Sequence, residues 1–264
     1  MAAVEFTRLH GPIGLWIFGF MNILYLISLI LKNSSIIDIF WGSGFVIIAW
    51  INFFKTMESV GPRDWLILIL VTIWGLRLSA YVLWRNAGKG EDFRYAKWRR
   101  EAGKKWWWLS YFQVFLLQGL IMWVLAAPIT AAQLPSAEDS LTILDYVGVV
   151  VWGIGFVFEV IGDAQLAKFK SKRESRSQLL RTGLWRYTRH PNYFGDAVQW
   201  WGFYFLALAS GSWWTILSPL WMTHLLVNVS GVAMLERTLA KNKPEYADYV
   251  QKTNAFFPWF PKKE

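Results

Sequence analysis

Cysteine is absent, which excludes disulfides, thiol nucleophiles and any cysteine-based metal site. Histidine is scarce. With only His10, His190 and His224, a zinc site would need carboxylates to complete it, and no metal is expected. There is no P-loop and no G-x-S-x-G nucleophile turn. The nearest approach to a dinucleotide fingerprint, Gly153-x-Gly155, meets Phe158 where the third glycine should stand. Charge is also thin: 17% of the 264 residues are charged, against about 25% in soluble domains. A nucleotide bound by this chain would therefore sit in a membrane-facing cavity, not on a Rossmann sheet.

Apolar residues make up 55% of the chain, and they come in runs. About 20 apolar residues suffice to cross some 30 Å of hydrocarbon. Such runs extend from Gly11 to Leu31, Ile36 to Phe54, Trp65 to Trp84, Trp107 to Ala127 and Ile143 to Phe169. Tyr193 to Leu235 has room for two more, broken near Ser210-Gly211-Ser212. Many tryptophans stand at segment ends, among them Trp65, Trp84, Trp106, Trp107, Trp108, Trp213 and Trp214, as an interfacial aromatic belt would require. The expectation is an all-α polytopic membrane protein of about seven transmembrane helices, with residues 1–264 forming a single membrane-embedded domain. Met1 to His10 has neither a basic start nor a small-residue cleavage site, so the first run reads as a true span.

Basic residues give an orientation. They crowd the stretch from Arg85 to Lys105, the stretch from Lys168 to Arg189, and the tail from Arg237. The loop after the fourth run carries only Glu138 and Asp139. By the positive-inside rule the N-terminus is outside and the C-terminus cytoplasmic. The net charge of +9 then reflects topology and attraction to anionic lipid heads, and nucleic acid is not an expected partner.

Ionisable residues inside spans are costly and point to function. Asp38 opens the second run, where it could cap the helix or floor a pocket. Trp74, Arg77, Tyr81, Trp84 and Arg85 form a stripe on the third that would line a polar cavity opening to the cytosol, the alternative being a buried structural pair of Arg77 with a carboxylate. Glu159 and Asp163 are one turn apart on the fifth, Asp196 lies on the sixth, and His224 and Asn228 share a face of the seventh. Leu184-Trp185-Arg186-Tyr187-Thr188-Arg189-His190-Pro191-Asn192-Tyr193-Phe194-Gly195-Asp196 reads as a helix start at the membrane surface, with Pro191 in the first turn. A helix N-terminus attracts anions, and Arg186, Arg189 and His190 beside it would suit a phosphate, with Asn192 and Asp196 facing inward behind.

On Asp38-Ile-Phe-Trp-Gly42, Arg77, Gly90-Glu-Asp-Phe-Arg-Tyr95-x-x-Trp98, Arg186 to Asp196, and Pro244-Glu-Tyr246-x-x-Tyr249 with Phe256-Phe-Pro-Trp259, the chain resembles the steroid 5α-reductase-like membrane enzymes, in particular their bacterial uncharacterised branch. The resemblance implies seven helices and NADPH entering from the cytoplasm. It also implies reduction of a carbon–carbon double bond conjugated to a ketone in a lipophilic substrate such as a 3-oxo-4-ene steroid. In that family a glutamate and a tyrosine hold the carbonyl oxygen; Asp38 and Trp74 resemble those positions. Tyr81 or Tyr193 could supply the acid that Trp74 cannot. Arg77, Asp163, Asn192 and Asp196 resemble cofactor contacts, and Lys170 stands where the family has arginine. Arg85, Arg94, Tyr95, Tyr187, Arg189, His190, Tyr193 and Arg237 complete the implied cofactor set. Burial alone would favour a neutral Asp38 able to donate a hydrogen bond. The same Arg-x-x-Arg-His-Pro-x-Tyr element, with Leu235-Glu236, resembles S-adenosylmethionine-dependent membrane methyltransferases of the isoprenylcysteine type, which is the alternative. Implied partners are the lipid bilayer and a lipophilic small molecule, with no protein partner required. The implied location is a bacterial inner membrane.

Overall fold

The computed structural model describes residues 2–135, 140–175, 177–229, 231–243 and 245–262; Glu138, Asp139 and Pro244 fall outside them. The described chain is helical: α1 (Ala2–Leu31), α2 (Ile36–Lys55), α3 (Pro62–Asn86), α4 (Phe93–Ala102), α5 (Trp106–Ser110), α6 (Leu117–Leu125), α7 (Ala127–Ala132), α8 (Ile143–Lys172), α9 (Pro191–Ala209), α10 (Leu217–His224), α11 (Val232–Asn242) and α12 (Tyr246–Lys252). A π-helical segment, Tyr111–Leu116, joins α5 to α6, and a second, Leu225–Val229, follows α10.

Among the described residues six helical stretches are long and apolar enough to cross a bilayer: Ala3–Leu31, Ile36–Lys55, Pro62–Asn86, Phe93–Ala132, Ile143–Lys172 and Trp213–Arg237. The chain is thus a multi-pass membrane protein. The remaining expected span is α9, which has 19 residues but carries Asn192, Asp196 and Gln199. None of its residues is exposed. A helix sheltered by protein need not be apolar in the way a lipid-facing one must. The expected break falls where it was anticipated: α9 ends at Ala209, and Gly211 takes a positive φ of 82°.

The chain divides into two compact units, Met1–Thr142 with Leu206–Thr215, and Ile143–Phe205 with Ile216–Glu264. In the first, α2 and α3 pack with their backbones almost in contact. A Cβ on Gly42 would lie 2.3 Å from the carbonyl oxygen of Gly75, and one on Gly75 would lie 2.5 Å from that of Gly42. Ser43 Oγ and Ser79 Oγ, 2.8 Å apart, hydrogen-bond one turn away. Away from that contact a buried polar knot joins His10 Nδ1 and Asn52 Nδ2 to the Thr130 hydroxyl, at 2.9 and 3.1 Å.

In the second unit α8 is polar inside and apolar outside. Its buried residues, Asp145, Gly148, Trp152, Gly155, Glu159 and Gly162, recur at three- and four-residue steps and form one stripe, with Asp163 buried beside Gly162 and one turn from Glu159. Ile143, Tyr146, Val150, Ile154 and Val157 are exposed. The glycines of the stripe are seven apart, and α9 answers with Gly195 and Gly202, also seven apart. A Cβ on Gly155 would meet Gly195 O at 2.5 Å and Gln199 N at 2.7 Å, and one on Gly202 would meet Gly148 O at 2.9 Å. Small residues let membrane helices approach to backbone contact. Gly153, two residues from Gly155, faces open space.

This contrast is testable. Gly155→Ala should lower thermal stability in detergent by about 1–3 kcal/mol through overpacking. Gly153→Ala should be neutral or stabilising, since alanine is the better helix former by up to about 1 kcal/mol. Equal melting temperatures for the two variants would contradict the seam.

Candidate functional site

In the first unit the polar groups gather around Asp38. The helix cap of α2 is Ser35, so Asp38 lies inside the first turn and is not the cap. Its carboxylate, 19% exposed, accepts from Arg94 Nη2 at 2.7 Å and from the Tyr95 phenol at 2.6 Å. Gln118 Nε2 donates to the same phenol at 3.2 Å. Both carboxylate oxygens therefore act as acceptors.

The Gly90 to Tyr95 run builds this arrangement residue by residue. Gly90 turns the chain with φ 74°. Glu91 binds Arg99 at 2.8 Å through each of its oxygens, and Ser34 N donates to Glu91 Oε1 at 2.6 Å. Asp92 caps α4 by accepting from Arg94 N, and it also accepts from Arg94 Nε at 2.8 Å. Arg94 and Tyr95 are thereby aimed at Asp38, 56 and 57 residues away in sequence.

Trp74, the expected companion of Asp38, is fully buried with its ring 5.7 Å from Phe45. Phe45 is seven residues, or about 10 Å, along α2 from Asp38. On α3 the expected stripe is present: the guanidinium carbons of Arg77 and Arg85 lie 5.2 and 5.9 Å from the Tyr81 ring centre.

In the second unit the α8–α9 seam brings two carboxyls against two amides. Asn192 Nδ2 donates to Asp163 Oδ1 at 3.0 Å, and Gln199 Nε2 to Glu159 Oε2 at 2.7 Å. Asp196 is buried on α9, and Lys170 is exposed near the end of α8. Asn192 Oδ1 is buried and receives no hydrogen bond.

The segment before α9 is tied down from several sides. Trp185 Nε1 donates to Gly162 O at 3.2 Å, and Leu184 N to Gln165 Oε1 at 3.0 Å. Arg189 and His190, expected beside a phosphate, turn inward onto Glu236. Arg189 Nη2 and Nε reach Glu236 Oε1 at 2.7 and 2.8 Å, and His190 Nε2 lies 3.3 Å from the same oxygen. Arg189 also donates to the carbonyls of Thr253 and Val250. Tyr193 stacks on His190, with ring centres 5.8 Å apart. Tyr187 is half-buried beside Phe260, while Arg186 and Arg237 are exposed. Burial pushes the Tyr249 phenol well above its ordinary range and that of Tyr246 up to about 12. Both stay protonated at neutral pH, and Tyr249 donates to the Trp185 carbonyl.

Gln118 and Gln199 are polar partners that no sequence motif marks. Glu236 is flagged only by its place beside Leu235 ahead of Tyr246 and Tyr249. Gln199 could have been found from the glycine spacing, which places it on the α9 face that meets α8.

The comparisons with known proteins fit this picture at a coarse level. An uncharacterized protein of Schizosaccharomyces pombe is 28% identical over 267 residues, covering 90% of this chain and 76% of its own. The 3-oxo-5-alpha-steroid 4-dehydrogenase 1 proteins of Mus musculus and Rattus norvegicus are each 36% identical over 77 residues. That stretch is 29% of this chain and 29% of each enzyme. No solved structure matches. Residues 24–253 match the family described as "Protein of unknown function (DUF1295)", and the chain belongs to that family.

Proposed function

We propose that the protein is a membrane reductase using NADPH to reduce a carbon–carbon double bond conjugated to a ketone in a lipophilic substrate. The observation that carries this reading is the Asp38–Tyr95 pair, 2.6 Å apart and secured by Arg94 and Gln118. The partial similarity to two steroid 4-dehydrogenases supports the reaction class. The orientation, with the N-terminus outside and the basic loops and cofactor side facing a bacterial cytoplasm, belongs to the same reading.

Asn192 Oδ1 is a test of fit for the cofactor. It is a buried acceptor without a donor, suited to the N–H of a carboxamide such as that of nicotinamide. In this reading Asp163, Asn192 and Asp196 hold that end, and the exposed Arg186, Lys170 and Arg237 serve the phosphates. Bound NADPH would supply a hydride.

The chain's own residues would manage the carbonyl. Hydride addition to an enone puts negative charge on the carbonyl oxygen, and a preorganised donor there lowers the barrier. Tyr95 can donate and deliver a proton, whereas the Trp74 indole can only donate. When substrate enters, the phenol would turn its single O–H from Asp38 to the carbonyl oxygen. Asp38 would keep Arg94 as its partner, and Gln118 would keep the phenol oxygen in place.

One observation favours a second reading. Glu236 joins Arg189 and His190, which ties the Arg-x-x-Arg-His-Pro element to Leu235-Glu236, the motif pair that resembles S-adenosylmethionine-dependent membrane methyltransferases. Calorimetry on the purified protein separates the two. NADPH should bind more tightly than NADH, and S-adenosylmethionine should not bind. Tight binding of S-adenosylmethionine without NADPH would replace the reductase by the methyltransferase.

Two variants probe the parts. Asn192→Ala should weaken NADPH binding by roughly tenfold or more, the loss of a hydrogen bond worth about 1.5–3 kcal/mol, with little change in melting temperature. Unchanged affinity in a stable variant would make Asn192 structural. Tyr95→Phe should keep NADPH binding but lose about 10²–10³ in NADPH turnover against a panel of enones. Full turnover by this variant would remove Tyr95 from the chemistry.

A further inference from the structure

The chain after α12 folds back on the segment that precedes α9. Arg189 N donates to Asn254 O at 2.9 Å, the Thr188 hydroxyl to Phe256 O at 2.8 Å, and Trp259 N to Tyr187 O at 3.0 Å. Lys262 N donates to Lys252 O at 3.0 Å, so the tail closes on the last turn of α12. The strap is pinned at both ends and along its length, and its side chains divide between two faces. Phe256 turns inward, 8% exposed, its ring 5.8 Å from Phe194. Phe257, Trp259 and Phe260 turn outward, 70%, 69% and 75% exposed.

Three aromatic side chains held out by a pinned backbone would be unfavourable in water. In a chain that spans a bilayer, rings of this kind belong at the headgroup level, where tryptophan can keep its N–H hydrated and its ring in an apolar layer. Pro258 and Pro261 flank them and have no N–H to satisfy there. The exposed Lys262 stands beside them, a cation placed to meet lipid phosphates.

We propose that residues 257–262 are an interfacial anchor: Phe257, Trp259 and Phe260 enter the headgroup layer of an anionic bilayer, and through the backbone bonds of the strap they hold the 187–189 segment at that level. The anchor thereby couples the start of α9 to the membrane surface. It does so whatever reaction the protein catalyses.

The absence of cysteine makes a direct test available, because any introduced cysteine is uniquely labelled. Nitroxide labels at Phe257→Cys, Trp259→Cys and Phe260→Cys are compared with Lys97→Cys, on an exposed lysine of α4, in phosphatidylcholine–phosphatidylglycerol vesicles. The three tail labels should collide more with oxygen and less with a water-soluble nickel chelate than the Lys97→Cys label. A label at Arg186→Cys should become more mobile when Phe257, Trp259 and Phe260 are all replaced by alanine. Tail labels as open to the chelate as Lys97→Cys would overturn the anchor and leave this face for a protein partner. An Arg186→Cys label indifferent to the alanine replacements would overturn its coupling to the segment.

Discussion

The second unit depends on how closely two helix backbones approach. Gly148, Gly155 and Gly162 on α8 face Gly202, Gly195 and the Pro191–Asn192 turn of α9 closely enough that an added Cβ would meet backbone atoms of the facing helix. That approach allows side chains as short as Asp163 and Asn192 to meet across the seam, and it brings Glu159 and Gln199 to 2.7 Å. Polar groups away from water must find partners, so the glycines and the carboxyl–amide pairs require each other. The outward face of α8 is free to be apolar and face lipid. The first unit uses the same device at Gly42 and Gly75, where Ser43 and Ser79 fill the polar role one turn away.

Much of this was legible in the sequence, because hydrocarbon imposes its demand locally. The helix ends near Leu31, Lys55, Asn86 and Lys172, the start at Pro191 and the break at Gly211 follow from apolar run lengths and from proline and glycine chemistry. What was not legible depends on residues far apart in the chain. Gly155 resembles a failed dinucleotide turn when only Gly153 and Phe158 are considered; its actual neighbour is Gly195. Arg189 and His190 suggest a phosphate clamp until Glu236, 46 or 47 residues on, takes them up. Asp38 resembles a helix cap until Ser35 takes that place and Arg94 and Tyr95 are set on its carboxylate. The phenol on the Asp38 carboxylate comes from α4, 57 residues on, where no local pattern announces it.

Chemically, the two units hold different resources. The first holds a half-open carboxylate with a cation and a phenol on it, an arrangement that can steady or release a proton-bearing donor. The second holds a buried amide oxygen without a donor, paired acids, and a segment whose arginine and histidine are already spent on Glu236. Its remaining exposed cations are those able to meet an anionic ligand.

The most direct test follows the transferred atom. Protein reconstituted in vesicles is given NADPH deuterated at the transferable nicotinamide position together with a panel of lipophilic enones, and the products are weighed by mass spectrometry. The account predicts a saturated ketone carrying one deuterium at the former β-carbon. Unlabelled enones recovered intact, with a methyl group passing from labelled S-adenosylmethionine to a lipid acceptor in a parallel incubation, would contradict it.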